Sequence, residues 1–510
     1  MQRRTRGWRM TEARRRGAPL AALLALATCL ATPLAAQSAA LSKRLDARLD
    51  APPFNRQLWG VAVVDEKGKL LYGRNHDRMF IPASNTKIVV SAVASALFSP
   101  DFSVRTSVYA AGPVVNGIVQ GDLVLYGRGD PTFSHRCYAT DTLAAGACDR
   151  DPADRLRALA DTLVARGVTG IDGDIVGDGS YFDGALVHPG WEVYDVNWWY
   201  AAPVSGLGFN DNSIDITYAP GAKEGEPATL EFTPDFGDVT LENRTRTVAA
   251  GAEETIDFFR EPGTMRVWAE GTVQLGSRTR TEHFALPDPN LYAARALRAA
   301  LAARGVSVAG ATRSTTDSTL YQVVRRAPAL ADVSGRQMRD WVFPVLNTSQ
   351  NWFAEMLLKQ LGKVYGAAGT WEEGLKVERR FLIDSVGIDS TQFALSDGSG
   401  LSASNLVSPL AFTQLLRFMR RHPHWDTFAA GLPQSGNAGS LRNRFRGTPL
   451  EGKVRAKTGT ISRVNTLSGY VELDGGKSLV FSVQANHHTQ PSRAILAQID
   501  SVVVDMARGR

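Results

Sequence analysis

Between Ile88 and Phe98 the chain places Ile88, Val89, Val90, Ala92, Val93, Ala94, Leu97 and Phe98, more apolar surface than one face of a helix can hold. A helix that is apolar nearly all round has to be buried on every side. The residue in front of it, Lys87, is therefore anomalous, since an ammonium enters a dry interior only with a partner or without its proton. One turn earlier, in "PASNTK", stands Ser84. Residues three apart share a helix face. One reading is an N-cap serine beside a lysine whose charged end reaches water. The other is a nucleophile and its base: burial lowers the lysine, the lysine takes the serine proton, and the helix N-terminus lends its N–H to an oxyanion.

At 510 residues the chain has room for two to three domains, and 44% hydrophobic content suits ordinary globular cores. Residues 1–36 differ in kind: seven arginines, an apolar run from Pro19 to Leu30, then small residues through Ala36. They read as a secretory signal cut near Ala36 or Ser38. The apolar run is too short for a membrane span, so no transmembrane segment is expected in the mature chain. Cys29 occupies the position of a lipidated cysteine, although Thr28 before it is larger than the usual small residue. The leader's arginines and Glu12 account for the whole formal charge of +6, so the mature chain is near neutral and its composition does not point to nucleic acid. Cys137 and Cys148, eleven apart, are expected to pair in an oxidising compartment.

The ends of the mature chain resemble each other more than either resembles the middle. "LWGVAVVDEKGKLLY" reads as a hairpin leading to the buried helix, and beyond 340 helices return, among them "NWFAEMLLKQLG" with Phe353, Met356, Leu357 and Leu361 on one face. "NTLSGYVEL" and "SLVFSVQAN" form a second hairpin around Asp474-Gly475-Gly476, and a last helix spaces Ile495, Ile499, Val502, Val503 and Met506. Residues 101–310 consist mostly of short β-branched and aromatic runs broken by Gly, Asp and Pro, with one helix at 155–166. The expected fold is α+β: residues 37–100 and 311–510 make one domain, an antiparallel sheet with helices, interrupted by a large β-rich insertion at 101–310.

Two further segments bear on Ser84 and Lys87. "KTGT", Lys457 to Thr460, precedes the strand hairpin; a lysine and two hydroxyls on an edge strand form a rail for a carboxylate, and Gly459 leaves room for a substrate backbone. Alone it would read as a polar turn. Ser349-Gln350-Asn351 opens the Phe353 helix, where Ser349 is either a cap or a proton relay and Asn351 can bond a substrate amide.

In the order S-x-x-K, S-x-N, K-T-G, these segments resemble the penicillin-recognising serine acyltransferases. More closely the chain resembles the low-molecular-mass class C penicillin-binding proteins, the D-alanyl-D-alanine carboxypeptidase and endopeptidase family. "GDLVLYGRGDPTF", "YAAPVSGLGFNDN", "LSDGSGLSASNLVSP" and "LPQSGNAGSL" share in the resemblance, which extends over nearly the whole mature chain. It implies a transpeptidase/β-lactamase-like fold and a secreted, periplasmic hydrolase acting on peptidoglycan stem peptides, with β-lactams as inhibitors and no cofactor. It further implies that Ser84 attacks, Lys87 takes its proton, Ser349 and Lys457 protonate the leaving D-alanine, and Asn351 assists. Thr458 and Thr460 would hold the carboxylate, and the N–H groups of Ser84 and Thr460 the oxyanion. Gln350 departs from the Asp frequent in this motif, and its side chain is expected to point away from the cleft.

Two other functions fit the fold. One is a β-lactamase or esterase, although no segment resembles the glutamate loop of class A enzymes; the other is a peptidoglycan-binding scaffold without turnover, which the intact motifs speak against. His422, His424, His487 and His488 have no carboxylate or cysteine cluster at metal-ligand spacing, so no metal is expected. Trp191, Trp198 and Trp199 suit a core or interdomain role better than sugar stacking, and "GRGD" at 127–130 reads as a turn.

Overall fold

The computed structural model of the chain describes residues 39–133, 151–237, 239–261 and 263–508. The expected signal with Cys29, and the expected Cys137–Cys148 bridge, lie outside the described residues.

Strand β1 (Leu58–Asp65) turns back into β2 (Leu70–Arg74) through Gly68, whose φ of 87° suits the tight reversal. The chain then enters helix α1 (Thr86–Leu97), in which every residue from Thr86 to Ser95 is buried, including Lys87. Much later come α2 (Asn351–Tyr365) and α3 (Trp371–Arg380), then β3 (Val454–Ile461), β4 (Val464–Glu472), β5 (Ser478–Asn486) and α4 (Ser492–Ala507). The five strands form one antiparallel sheet in the order β2-β1-β5-β4-β3, so the two ends of the chain meet where β1 pairs with β5. Both expected hairpins are present.

Each face of the sheet has its own core. Ile495, Ile499, Val502, Val503 and Met506 of α4 join Leu41, Leu45 and Leu49 of an N-terminal helix, residues 39–49, over Val61, Leu467 and Val483. The helix at 39–49 was not expected. On the opposite face α1 and α2 pack with the helix Met338–Asn347 around Trp341, Phe353 and Leu357. The expected apolar face of α2 is buried, and so are Glu355, Lys359 and Gln360 on its other sides. No helix of the described residues is long and apolar enough to cross a membrane.

The interruption begins near the expected residue 101, but the return at 311 requires correction. Thr312–Thr315 lies parallel beside Ile175–Asp178, and Ala331–Ser334 lies antiparallel on Arg105–Ala110, within a five-stranded sheet. The excursion closes where Gly335 N donates to Val104 O at 2.7 Å. These two strands are short, half-exposed and without an apolar run, so no sequence texture announces them. Smaller sheets built on Ser213–Ala219 and Arg266–Gln274, and the helices Asp154–Ala165 and Pro289–Ala302, share a core with this sheet.

Trp191 is buried against Trp371, and Trp198 packs edge-on to Phe258 and Phe284, consistent with structural roles. Arg128 of "GRGD" donates to Arg105 O, Ser107 Oγ and Tyr109 Oη, which ties the tetrapeptide into its own sheet.

Because α2 carries a site residue, Asn351, on a helix buried from Trp352 to Gly362, Leu357→Ala should lower stability by about 3 kcal/mol through the cavity it leaves. Urea unfolding followed by circular dichroism measures this; a loss below about 1 kcal/mol would mean that the helix repacks.

Candidate active site

Ser84 sits in a single 3₁₀ turn, Ala83–Asn85, which leads directly into α1. The turn is held tightly. Thr86 Oγ1 donates to Ala83 O, Asn85 Nδ2 to Ser468 Oγ on β4, and Thr466 Oγ1 to Pro82 O. Ala83 itself has φ of 48°, as Ser349 has 65°, and non-glycine residues keep such backbone only where their surroundings enforce it.

The Lys87 ammonium nitrogen lies 3.0 Å from Ser84 Oγ, 2.6 Å from Asn351 Oδ1 and 2.6 Å from the carbonyl of Ser399. Lys87 is fully buried, and burial brings it from the ordinary 10.5 down to about 7, a fall that the Glu355 and Asp397 carboxyls oppose. The opening anomaly is thus resolved in favour of a partnered lysine; it does not reach water. Asn351, at the start of α2, is oriented from its other end by donating Nδ2 to Tyr200 O at 2.8 Å.

A second lysine repeats the arrangement. Lys457 on β3 donates to Ser349 Oγ at 2.8 Å and to Thr458 O at 2.9 Å. It too is fully buried, and burial, with the nearby Lys87 charge, pushes it well below its ordinary range. Ser349 is not the helix cap. Gln350 is, its buried side chain accepting from Trp352 N through Oε1 while Nε2 faces Asp211. β3 is an edge strand. Thr458 Oγ1 lies 3.1 Å from Ser440 Oγ, and Thr460 is exposed, with Oγ1 accepting from Asn465 Nδ2.

Gly459 has a different neighbour from the expected one. A Cβ there would lie 2.2 Å from Thr466 Oγ1, 2.7 Å from Pro82 O and 3.1 Å from Asn85 N. The space is taken by the turn that carries Ser84, so the glycine lets the edge strand and that turn touch.

Sequence reasoning did not single out the carboxylates behind Lys87. Glu355 of α2 is fully buried and accepts from Ser399 N, Gly398 N and Trp371 Nε1. Asp397 accepts from Gly400 N, Ser402 N, Asn405 Nδ2 and Trp191 Nε1. A signal existed: an acidic residue one turn after Asn351, inside the apolar stretch of α2. Among the described residues no cluster of three or more potential metal ligands occurs. His424 Nδ1 is instead 2.8 Å from Ser95 O.

Two serine–lysine contacts thus lie near each other, the buried Lys87 on Ser84 and the edge-strand Lys457 on Ser349 ahead of α2, an arrangement suited to serine acyl transfer. Residues 41–505 match the D-Ala-D-Ala carboxypeptidase 3 (S13) family, and the chain belongs to it. It is 34% identical over 472 residues to a D-alanyl-D-alanine carboxypeptidase of an Actinomadura species, across 89% of this chain and 82% of that one. It is 26% identical over 465 residues to the penicillin-sensitive carboxypeptidase A of Dictyostelium discoideum, across 85% and 83%. The crystal structure of penicillin binding protein 4 from Haemophilus influenzae has the same fold, with a TM-score of 0.77 and 20% identity over 91% of this chain and 98% of that one.

Since any side chain at 459 would displace the Ser84 turn, Gly459→Ala should slow covalent labelling of Ser84 by a β-lactam at least about tenfold while the protein stays folded. Labelling at the wild-type rate would show that the turn tolerates the displacement.

Proposed function

We propose that the chain hydrolyses the terminal D-alanyl-D-alanine bond of peptidoglycan stem peptides through an acyl-enzyme on Ser84. The carrying observation is the 3.0 Å approach of the buried Lys87 amine to Ser84 Oγ. Lys87 in its neutral form takes the hydroxyl proton as Oγ bonds to the scissile carbonyl carbon and the carbonyl π pair moves onto oxygen. The N–H groups of Ser84 and Thr460 receive that oxyanion. On collapse the carbon–nitrogen bond breaks, and the departing D-alanine nitrogen takes a proton from Ser349 Oγ, which Lys457 replenishes across their 2.8 Å contact. Once Lys87 has released its proton to solvent and Lys457 has regained one, water attacks the ester carbonyl as Lys87 takes its proton; the acyl–Oγ bond then breaks, Oγ takes that proton back, and Ser84 is freed.

Lys457, Thr458 and Thr460 bind the terminal carboxylate, and Asn351 orients both Lys87 and the substrate amide. A cross-link that ends in the same D-Ala-D bond presents the same carbonyl, so endopeptidase cleavage uses the same groups. β-Lactams acylate Ser84 as well, but their amine stays tethered after ring opening. The arginine-rich leader supports secretion to the periplasm, where these substrates lie.

Three results test this reading. Ser84→Ala should abolish both fluorescent-penicillin labelling and D-alanine release; label retained in that variant would refute the nucleophile. Lys457→Ala should lower kcat/KM on a D-Ala-D-Ala peptide by about 2 to 4 kcal/mol of transition-state stabilisation, and an unchanged value would remove it from the carboxylate site. The third is a pH profile. Lys87 works as a base only without its proton, so acylation should rise with pH through about 7 and then level off. A limb near 10.5 would mean that the amine keeps the ordinary lysine value.

A further inference from the structure

The loop Ser396–Ser402 supplies the carbonyl that faces Lys87, and its backbone is wrapped around two carboxyl groups. Glu355 takes the N–H of Ser399 at 2.7 Å and of Gly398 at 3.0 Å; Asp397 takes those of Gly400 and Ser402, each at 2.7 Å. Gly400, with φ of 80°, brings the loop so close to the nucleophile turn that a Cβ there would lie 1.9 Å from Ala83 O. Glu355 is thus separated from the Lys87 amine by one residue of backbone: Oε1 accepts from Ser399 N, and Ser399 O accepts from Lys87 Nζ at 2.6 Å.

We propose that Glu355 is a positioning residue for the base: it clamps the 398–399 peptides so that Ser399 O meets Lys87 Nζ, and it supplies the negative charge against which that amine takes the serine proton. The proposal rests on Lys87 being the base. It adds a part to the acylation step without altering the chemistry: the proton still moves from Ser84 Oγ to Lys87 Nζ, and Glu355 exchanges none.

The charges around Glu355 make this assignment specific. Lys87 faces it from α1 and Asp397 from the loop, with Trp371 Nε1 donating to it from α3. Lys359, one turn on along α2, also feels the Glu355 charge, but its hydrogen bonds go to Ala185 O and Val204 O and it lies 4.0 Å from the Trp371 ring centre. Lys457, beyond Lys87, is a second amine, and burial and the Lys87 charge weaken its hold on its proton. Glu378 of α3 is buried with neither carboxyl oxygen hydrogen-bonded, and burial beside Glu355 and Asp397 lifts it well above its ordinary value. Burial and Asp397 also push Glu355 up, to about 7, against the pull of its three donors. Of the two α2–α3 glutamates, Glu355 is the one whose carboxyl holds the loop behind the base, while Glu378 makes no hydrogen bond.

The test is the rate of penicillin acylation against pH for the wild type, Glu355→Gln, Glu378→Gln and Lys87→Ala. Taking a negative charge from beside the amine makes it release its proton more readily. In Glu355→Gln the acid limb should move to lower pH by on the order of one unit, and the plateau should fall about tenfold as the clamp loosens. Glu378→Gln alters a carboxyl that accepts none of the loop's N–H groups and should leave the limb in place. If Glu355→Gln lowers the plateau without moving the limb, Glu355 is a structural clamp only and the proposal is wrong, while an inert Lys87→Ala still upholds the base. If Lys87→Ala acylates normally, the base assignment fails first. Should Glu355→Gln not fold, Glu355→Asp keeps the charge on a shorter stem: a wild-type limb with a plateau lowered about tenfold supports the proposal, and a wild-type plateau overturns it.

Discussion

The site depends on the desolvation of Lys87. An amine in water holds its proton far above neutral pH and cannot take one from a serine; surrounded by α1, α2 and the 397–402 loop, it is brought to about 7. Everything adjacent serves to keep that buried amine in place without restoring its solvation. Three oxygen atoms, from Ser84, Asn351 and Ser399, occupy its donor positions. The apolar helix behind it keeps water away, which explains why so greasy a segment begins with a charged residue.

The same logic is applied twice. Lys457 is also buried, also directed at a serine, and lies close enough for the Lys87 charge to lower its proton affinity further. Two ammonium groups so placed are costly together, and the cost favours a state in which at least one is neutral. The buried acids Glu355 and Asp397 limit the effect on the Lys87 side, so the two lysines are not equivalent even though each faces a serine.

Much of this was legible in the chain. Ser84 and Lys87 stand one turn apart before an unmistakable buried helix, and the strand hairpins and the α4 pattern follow simple periodicity. What stayed hidden depends on tertiary contact. Strands Thr312–Thr315 and Ala331–Ser334 are short and polar, and only their partners make them strands. Gly459 was read as clearance for a substrate, because sequence cannot say that Pro82 and Asn85 pack against it. Glu355 falls within an apolar run where a lone acid reads as an exposed exception, and its buried setting comes from α3 and the 397–402 loop, far along the chain.

The inserted segment is usually the first thing removed when a catalytic core is sought in a large chain. Here it cannot be treated as an accessory. Its backbone carbonyls at Tyr200, Pro203, Val204 and Ala185 receive Asn351 Nδ2, Trp352 Nε1 and the Lys359 ammonium along one side of α2. Excision at the Val104–Gly335 neck would leave α2 with an unpaired amide, an indole and a cation facing the cut. The reduced protein would turn those donors out to solvent on the helix that begins with Asn351, so the inserted segment completes the surroundings of the site as well as a core of its own.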